Sequence, residues 1–166
     1  MSDAPAGVVA GELQIGDWLQ AIARAAEEFF KGQLGLEPFT QAGTDQPVGV
    51  SDVGSYVALV GDETSVQLGM EAAVDTCRTL AKTMLAMEDG EEIEDGDMCD
   101  AVGEIANILG GTTKRLIADR MPGFKLGLPL FMQGRLIASD RQEVGSLSVN
   151  VAGHDLNLIV LRVKRT

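Results

Sequence analysis

The chain contains few of the residues on which most hydrolases and metalloproteins depend. It has one histidine, His154, and two cysteines, Cys77 and Cys99, which are far apart in sequence. No Ser-His-Asp set, Walker loop, glycine-rich dinucleotide turn or Cys/His metal cluster is present. His154 falls in a predicted hairpin turn and has no neighbouring ligand. An enzyme with this sequence must therefore use very few reactive groups, and we expect no metal site of its own.

Basic residues and long apolar segments are also scarce. The 13 Lys and Arg face 25 Asp and Glu, for a formal net charge of −12. Because that charge repels phosphate backbones, we expect no nucleic-acid partner. No apolar run could span a bilayer, and the N-terminal residues lack the pattern of a signal peptide. The two separated cysteines fit reduced thiols. We therefore expect a cytoplasmic protein that does not contact membranes.

The charges are distributed unevenly along the chain. Residues 62–104 hold 13 acids and 2 bases, whereas residues 114–166 hold 4 acids and 9 bases. Such asymmetry either orients a protein partner or simply aids solubility. The acidic run 88–97 lacks the Asp-x-Asp-x-Asp-Gly spacing of a calcium loop, so we do not assign it a metal.

A length of 166 residues favours one domain. Residues 1–12 are small and rich in Gly and Ala, which predicts a mobile tail, and residues 13–166 form the domain. Apolar spacing predicts helices, and alternation predicts strands joined mostly by hairpins. The expected class is α+β, with helices packed on a mostly antiparallel sheet. The predicted helices cover 15–30, 71 to about 89–90, and 98–121. The predicted strands cover 56–60, 65–70, 126–130 and 146–163, with loops at 37–46 and 139–145 and a turn at 153–155.

The helix predicted for residues 98–121 carries an unusual polar stripe. At 100° per residue, Asp100, Glu104, Asn107 and Gly111 fall within about 60° of one another. The apolar residues of the same helix lie nearly opposite and form the core face. Asp97 is the expected N-cap, with Asp100 as its capping-box partner, a structural role that competes with any role in function.

Glycines accompany this stripe. Gly103, Gly110 and Gly111 are expected on or beside the outer face, although a glycine inside a helix costs about 0.8–1.0 kcal/mol relative to Ala. A partner that approaches the helix backbone closely would explain that cost. The alternative interpretation is an exposed face with no functional role.

The spacing Asp-x-x-x-Glu-x-x-Asn-x-x-x-Gly on a helix resembles the signature of the CheC/CheX/FliY family of bacterial chemotaxis phosphatases. A preceding helix, taken in this comparison as Leu68–Met87, and the segment Lys125–Gly134, a strand carrying Pro129, also match in type and place. CheC-like members carry the signature twice, whereas this chain carries it once, which favours a CheX-like protein. The resemblance implies a CheC-like fold, in which an imperfect strand-strand-helix duplication is possible.

The same resemblance implies a function. Asn107 would orient an attacking water toward the phospho-aspartate of a CheY-like receiver domain, and Glu104 would engage the receiver's lysine. Asp100, Gly103, Gly110 and Gly111 would contact the partner. The chain would need no cofactor of its own, because Mg²⁺ would belong to the receiver. A homodimer is also implied, and the strands from Leu147 to Val163 are the expected edge for pairing.

Two alternatives to a phosphatase stay open. The first is a binding module that docks a receiver or a flagellar-switch partner without hydrolysis. The second is a purely structural assembly subunit, which would not distinguish phosphorylated from free receiver. Turnover at protein concentrations well below that of the receiver separates the enzyme from both.

Overall fold

A computed structural model describes residues 13–44, 52–134 and 136–164. The predicted tail of residues 1–12 lies outside these ranges. The described helices are α1 (Ile15–Glu27), which continues as a π-helical segment (Glu28–Gln33), α2 (Val74–Met84) and α3 (Asp95–Ile117). The described strands are β1 (Phe39–Thr44), β2 (Val53–Val60), β3 (Ser65–Ala72), β4 (Lys125–Leu126), β5 (Leu130–Gln133), β6 (Gln142–Val151) and β7 (His154–Val163).

The seven strands form one antiparallel sheet. Their order is β1-β6-β7-β3-β2-β4, and β5 pairs with β2 beside β4. The hairpins β2–β3 and β6–β7 follow from the alternating apolar pattern, which places one face of each strand against the core. The predicted α+β class with a mostly antiparallel sheet is confirmed.

The topology is nearly symmetric about the contact between β3 and β7. Helix α1 precedes β1, β2 and β3, and α3 precedes the strands from β4 to β7. If β4 and β5 count as one interrupted strand, the strand order reads the same from either edge of the sheet. The implied duplication is thus present in the topology, but its unit is a helix followed by three strands.

Helices α1 and α3 pack against each other and against the sheet. The core between them is mainly aliphatic, with Trp18 and Phe124 in an edge-to-face contact whose ring centroids lie 5.7 Å apart. Ile22, Phe30 and Leu109 are fully buried there. Within the described residues, no helix is both long and apolar enough to cross a membrane.

Three local predictions are wrong. The predicted loop 37–46 contains β1, which pairs with β6 and has an irregular register between Gln41 and Gly43. The predicted polar loop 139–145 contains the start of β6. The hairpin turn lies at Ala152–Gly153, so His154 instead begins β7, opposite Val151. Local polarity suggested loops, but long-range pairing made these residues strands.

The predicted dimer edge, Leu147–Val163, is also wrong. In β6, Leu147–Val151 pairs with both β1 and β7. Most of β7 lies between β6 and β3. Within the described residues, the outer strands are β1 on one side and β4–β5 on the other.

Candidate functional site

Helix α3 presents an apolar face to the sheet and to the other helices. It contacts β2 and β3 as well as α1 and α2. This packing fixes which side of the helix faces outward. The buried apolar side chains of α3 are Met98, Ala101, Val102, Ile105, Ala106, Leu109 and Ile117.

The polar stripe (Asp100, Glu104, Asn107 and Gly111) lies on the outward side of α3. Asp100 and Glu104 are exposed, and Asn107 and Gly111 are partly exposed. Among the described residues, no side chain forms a hydrogen bond or ion pair with Glu104 or Asn107. A carboxylate and a carboxamide one turn apart are therefore free to interact with a partner.

The predicted cap of this helix is wrong. Helix α3 begins at Asp95 with Glu94 at the N-cap position, and no side chain caps it. Asp97 lies in the first turn, where its negative charge interacts favourably with the positive end of the helix dipole. Arg78 on α2 pairs with Asp95 at 2.8 Å. Asp100 is thus not a capping-box partner, and the structural role expected for it falls away.

The expected position of two glycines is also wrong. Gly103 and Gly110 are buried rather than on the outer face. A Cβ atom at Gly110 would lie 2.4 Å from Val57 Cγ1 and 3.0 Å from Leu126 Cδ1. Gly110 therefore allows α3 to approach this chain's own sheet. Gly111 is partly exposed, and only Gly111 of these three still fits the expected role in close approach by a partner.

The outer strand β4–β5 runs beside α3. Atoms of Pro129 lie 3.7 Å from the Cβ position of Gly103, and Leu126 lies 3.8 Å from that of Gly111. The residues between β4 and β5 interrupt the predicted strand. Pro129 lies in this interruption at the edge of the sheet, where its missing amide hydrogen is tolerated. Leu128 in this interruption is 90% exposed, the largest exposure of any large apolar side chain described. Its alternating sequence predicted a strand and gave no sign of this exposure.

Neither of the two thiols lies in an environment that favours the reactive thiolate. Burial raises the pKa of Cys77 to about 12, which makes the thiolate scarce. Desolvation, followed by the nearby carboxylates of Asp95 and Asp100, raises the pKa of Cys99, so its thiolate is disfavoured as well. In the described part of the chain, no group of three or more His, Cys, Asp or Glu is placed to hold a metal ion.

Glu71 was not singled out from the sequence, although a charged residue in an apolar strand is a detectable signal. Its side chain is 3% exposed, and its Oε2 has no hydrogen-bond partner. Burial, with a smaller contribution from Asp52, raises the pKa of Glu71 to about 7. Glu71 lines an open cavity of about 420 Å³ together with Asp52 and Asn157. Its side chain lies over Gly54, where a Cβ would be 2.7 Å from Glu71 Cγ.

A comparison with known protein families shows to which family the chain belongs. Residues 53–151, more than half of the chain, match the family described as chemotaxis phosphatase CheX. The chain belongs to the CheX family. The matched residues include all four positions of the polar stripe on α3. No significant match was found among curated protein sequences.

Solved structures of CheX-family and related proteins share the fold. A CheX protein from Vibrio vulnificus has a TM-score of 0.72 at 16% identity and covers 88% of this chain and 99% of its own. A chain of the CheX–CheY–BeF₃–Mg²⁺ complex from Borrelia burgdorferi has a TM-score of 0.71 at 16% identity, with coverages of 89% and 99%. FliY from Thermotoga maritima has a TM-score of 0.61 at 12% identity and covers 92% of each chain. The predicted CheC-like fold is confirmed.

Proposed function

We propose that this CheX-family protein hydrolyses the aspartyl phosphate of a CheY-like receiver domain in the cytoplasm. The observation that carries the proposal is the outward-facing pair Glu104, which is exposed, and Asn107, which is partly exposed, on a helix whose opposite face is packed into the core. Neither side chain has a partner among the described residues. A buried or internally bonded pair would not be able to reach another protein's phosphorylated residue.

Asn107 holds the attacking water in this mechanism. Its carboxamide oxygen accepts a hydrogen bond from the water, and its amide group donates one, which orients the water in line with phosphorus. The water oxygen bonds to phosphorus as the bond between phosphorus and the aspartate oxygen breaks. The products are inorganic phosphate and a free carboxylate, with the water protons passing to phosphate and solvent. Most catalysis of phosphoryl transfer comes from such positioning and from electrostatics.

Glu104 sets the register between the two proteins. Its carboxylate accepts a charge-assisted hydrogen bond from the lysine in the receiver's active site. Asp100 lies one turn earlier on the same face and contacts the receiver's surface. The Mg²⁺ that neutralises the phosphoryl group belongs to the receiver, and this chain contributes no cofactor. The structure of a CheX–CheY complex with BeF₃ and Mg²⁺ supports a CheY-like partner.

The experiment measures phosphate release from CheY-like receivers of the same organism, phosphorylated with a small-molecule donor. The CheX-family chain is added far below the receiver concentration. Wild type should accelerate release over many turnovers, and Asn107→Ala should lose that acceleration by about 100-fold or more, the order expected for a lost positioning group. Because Asn107 is partly exposed, the variant should keep its thermal stability.

Gln20→Ala provides the matched control, since it removes an exposed carboxamide from α1. It should leave the rate of phosphate release unchanged. If Asn107→Ala behaves like wild type, Asn107 has no part in the mechanism. If wild type binds phosphorylated receiver but releases no phosphate, the protein is a receiver-binding adaptor and the phosphatase proposal fails.

A further inference from the structure

The outer strand places an apolar side chain beside the catalytic turn of α3. Leu126 packs near Gly111, and Pro129 packs near Gly103, so the strand runs antiparallel to the helix. From Gly103 to Gly111 the helix rises about 12 Å, and from Leu126 to Pro129 an extended chain spans about 10 Å. The two segments therefore have similar lengths along the helix axis. Leu128 therefore lies at the level of Glu104 and Asn107.

Leu128 makes almost no contribution to the fold of the isolated chain. It is 90% exposed, and Leu130 beside it is 61% exposed. Pro129 between them is exposed as well. An apolar surface of this kind, next to a polar functional stripe, is typical of an interaction site.

This surface is poorly suited to pairing with a strand of another chain. Pro129 has no amide hydrogen, and the amide of Gly127 already donates to Ala58 oxygen at 2.8 Å. The flanking strands have only two and four residues. The occupant must therefore contact side chains rather than extend the sheet.

The position of Leu128 selects its occupant. A protein that docks on the turn carrying Glu104 and Asn107 also comes close to Leu128, because Leu126 and Pro129 on either side of Leu128 contact α3 on either side of that turn. A second copy of this chain that covered the turn would exclude the substrate. The receiver domain is the partner that must reach this turn, so it is the occupant that fits.

We propose that Leu128 is a receiver-binding contact, which packs against apolar side chains at the rim of the receiver's phosphorylation cleft. This inference rests on the proposed function, because it identifies the partner of the same helix face. Leu128 strengthens binding of the receiver and takes no part in attack on phosphorus.

The test separates affinity from turnover. Leu128→Ser should raise KM for phosphorylated receiver roughly tenfold, the order expected for loss of one buried leucine, and kcat should stay within about twofold. Leu128→Met should restore most of the affinity, since methionine keeps the apolar volume. Thermal stability should not change in either variant, because Leu128 is exposed.

Val163→Ser is the matched control. Val163 is 55% exposed and lies on β7, three strands away from β4. It should leave KM unchanged. If Leu128→Ser leaves KM unchanged, or lowers kcat alone, the proposal is overturned; an equal effect of Val163→Ser also overturns it.

Binding of receiver loaded with beryllofluoride gives a readout that does not need hydrolysis. Leu128→Ser should raise its Kd roughly tenfold relative to wild type, the same order as the effect on KM. If wild type releases no phosphate, the proposed function fails, but the Kd values still test Leu128. Equal Kd values for wild type and Leu128→Ser overturn this inference even when wild type is an active phosphatase.

Discussion

Glu71 shows how one side chain ties stability to pH. It is the only carboxylate among the described residues that is almost completely buried. Burial raises its pKa from an ordinary value near 4.5 to about 7. The folded state therefore holds the Glu71 proton over a pH range in which the unfolded chain has already released it.

The sign of the effect follows from proton binding. Between about pH 4.5 and 7 the folded state binds more protons at Glu71, so the free energy of unfolding falls as pH rises. Glu71→Gln should remove this contribution. Above pH 7 the variant should be more stable than wild type by on the order of 1–3 kcal/mol, and below pH 4.5 the two should be similar.

Urea unfolding at pH 5, 6, 7 and 8 measures this difference. Asp62→Asn, which removes an exposed negative charge, controls for the change in net charge. Parallel stability profiles for wild type and Glu71→Gln would show that burial of Glu71 does not couple folding to pH.

For single residues, the sequence predicts which side of a helix a residue faces better than it predicts which residues it contacts. The 100° period correctly places Glu104 and Asn107 opposite the core of α3. It cannot show that Gly110 faces Val57, because a glycine carries no hydrophobic signal and its fit depends on a strand 50 residues earlier. The role of Leu128 is hidden for a related reason, since alternation predicts half-burial while the interruption of the strand exposes it.

Helix α3 carries the candidate site, and it contains two adjacent glycines, Gly110 and Gly111. Substitution by alanine should change the stability of the protein in opposite directions at these two positions. Gly110→Ala places a Cβ atom 2.4 Å from a methyl group of Val57, which is fully buried and stiff at χ1. Overpacking of this kind costs about 1–3 kcal/mol. Gly111→Ala meets only Leu126 at 3.8 Å, an ordinary contact. It should gain about 0.8 kcal/mol from helix propensity.

Thermal and urea unfolding of the two variants measures these effects against wild type. Phosphate release adds a second readout for Gly111→Ala, because a methyl group on the polar stripe should hinder close approach by the receiver. A stable but slower enzyme is expected. Stabilisation of Gly110→Ala would show that α3 can move away from β2 without penalty.

The start of α3 illustrates a limit at the scale of an element. Several acids precede the helix, and each is a plausible first residue from sequence alone. The structure places the start at Asp95, where Arg78 of α2 pairs with it. The helix thus begins earlier than the best local capping pattern predicts, and the contact with Arg78 is not visible in that pattern.

For the whole molecule, the sheet order could not be deduced from residue patterns. The two halves, each a helix followed by three strands, share a topology but no evident sequence similarity, so no repeat is visible in the sequence. Strand β1 was missed because only Phe39 in it is strongly apolar, and its pairing partner lies more than 100 residues later. The class of fold followed from local patterns, whereas the order of strands depends on long-range contacts.

The same sheet order revises the proposed homodimer. The outer strand β4–β5 is interrupted at Gly127–Pro129, whereas β1 offers the longer outer edge among the described strands. The amide of Ala152 donates to Pro38 oxygen at 2.8 Å, which places Thr40 in the next hydrogen-bonded pair with β6. The amide of Gln41 therefore points away from β6. We expect two copies of the chain to pair through β1.

Gln41→Pro tests this edge because it removes an outward amide and keeps the ladder between β1 and β6. Proline is tolerated on outer strands, so the monomer should keep its fold. Sedimentation should show a dimer for wild type and for Gln41→Ala, which retains the amide. Gln41→Pro should raise the dimer dissociation constant by about tenfold or more, the order expected for lost backbone hydrogen bonds. A wild-type monomer would contradict the dimer itself, and an unchanged dimer in Gln41→Pro would exclude β1 as its interface.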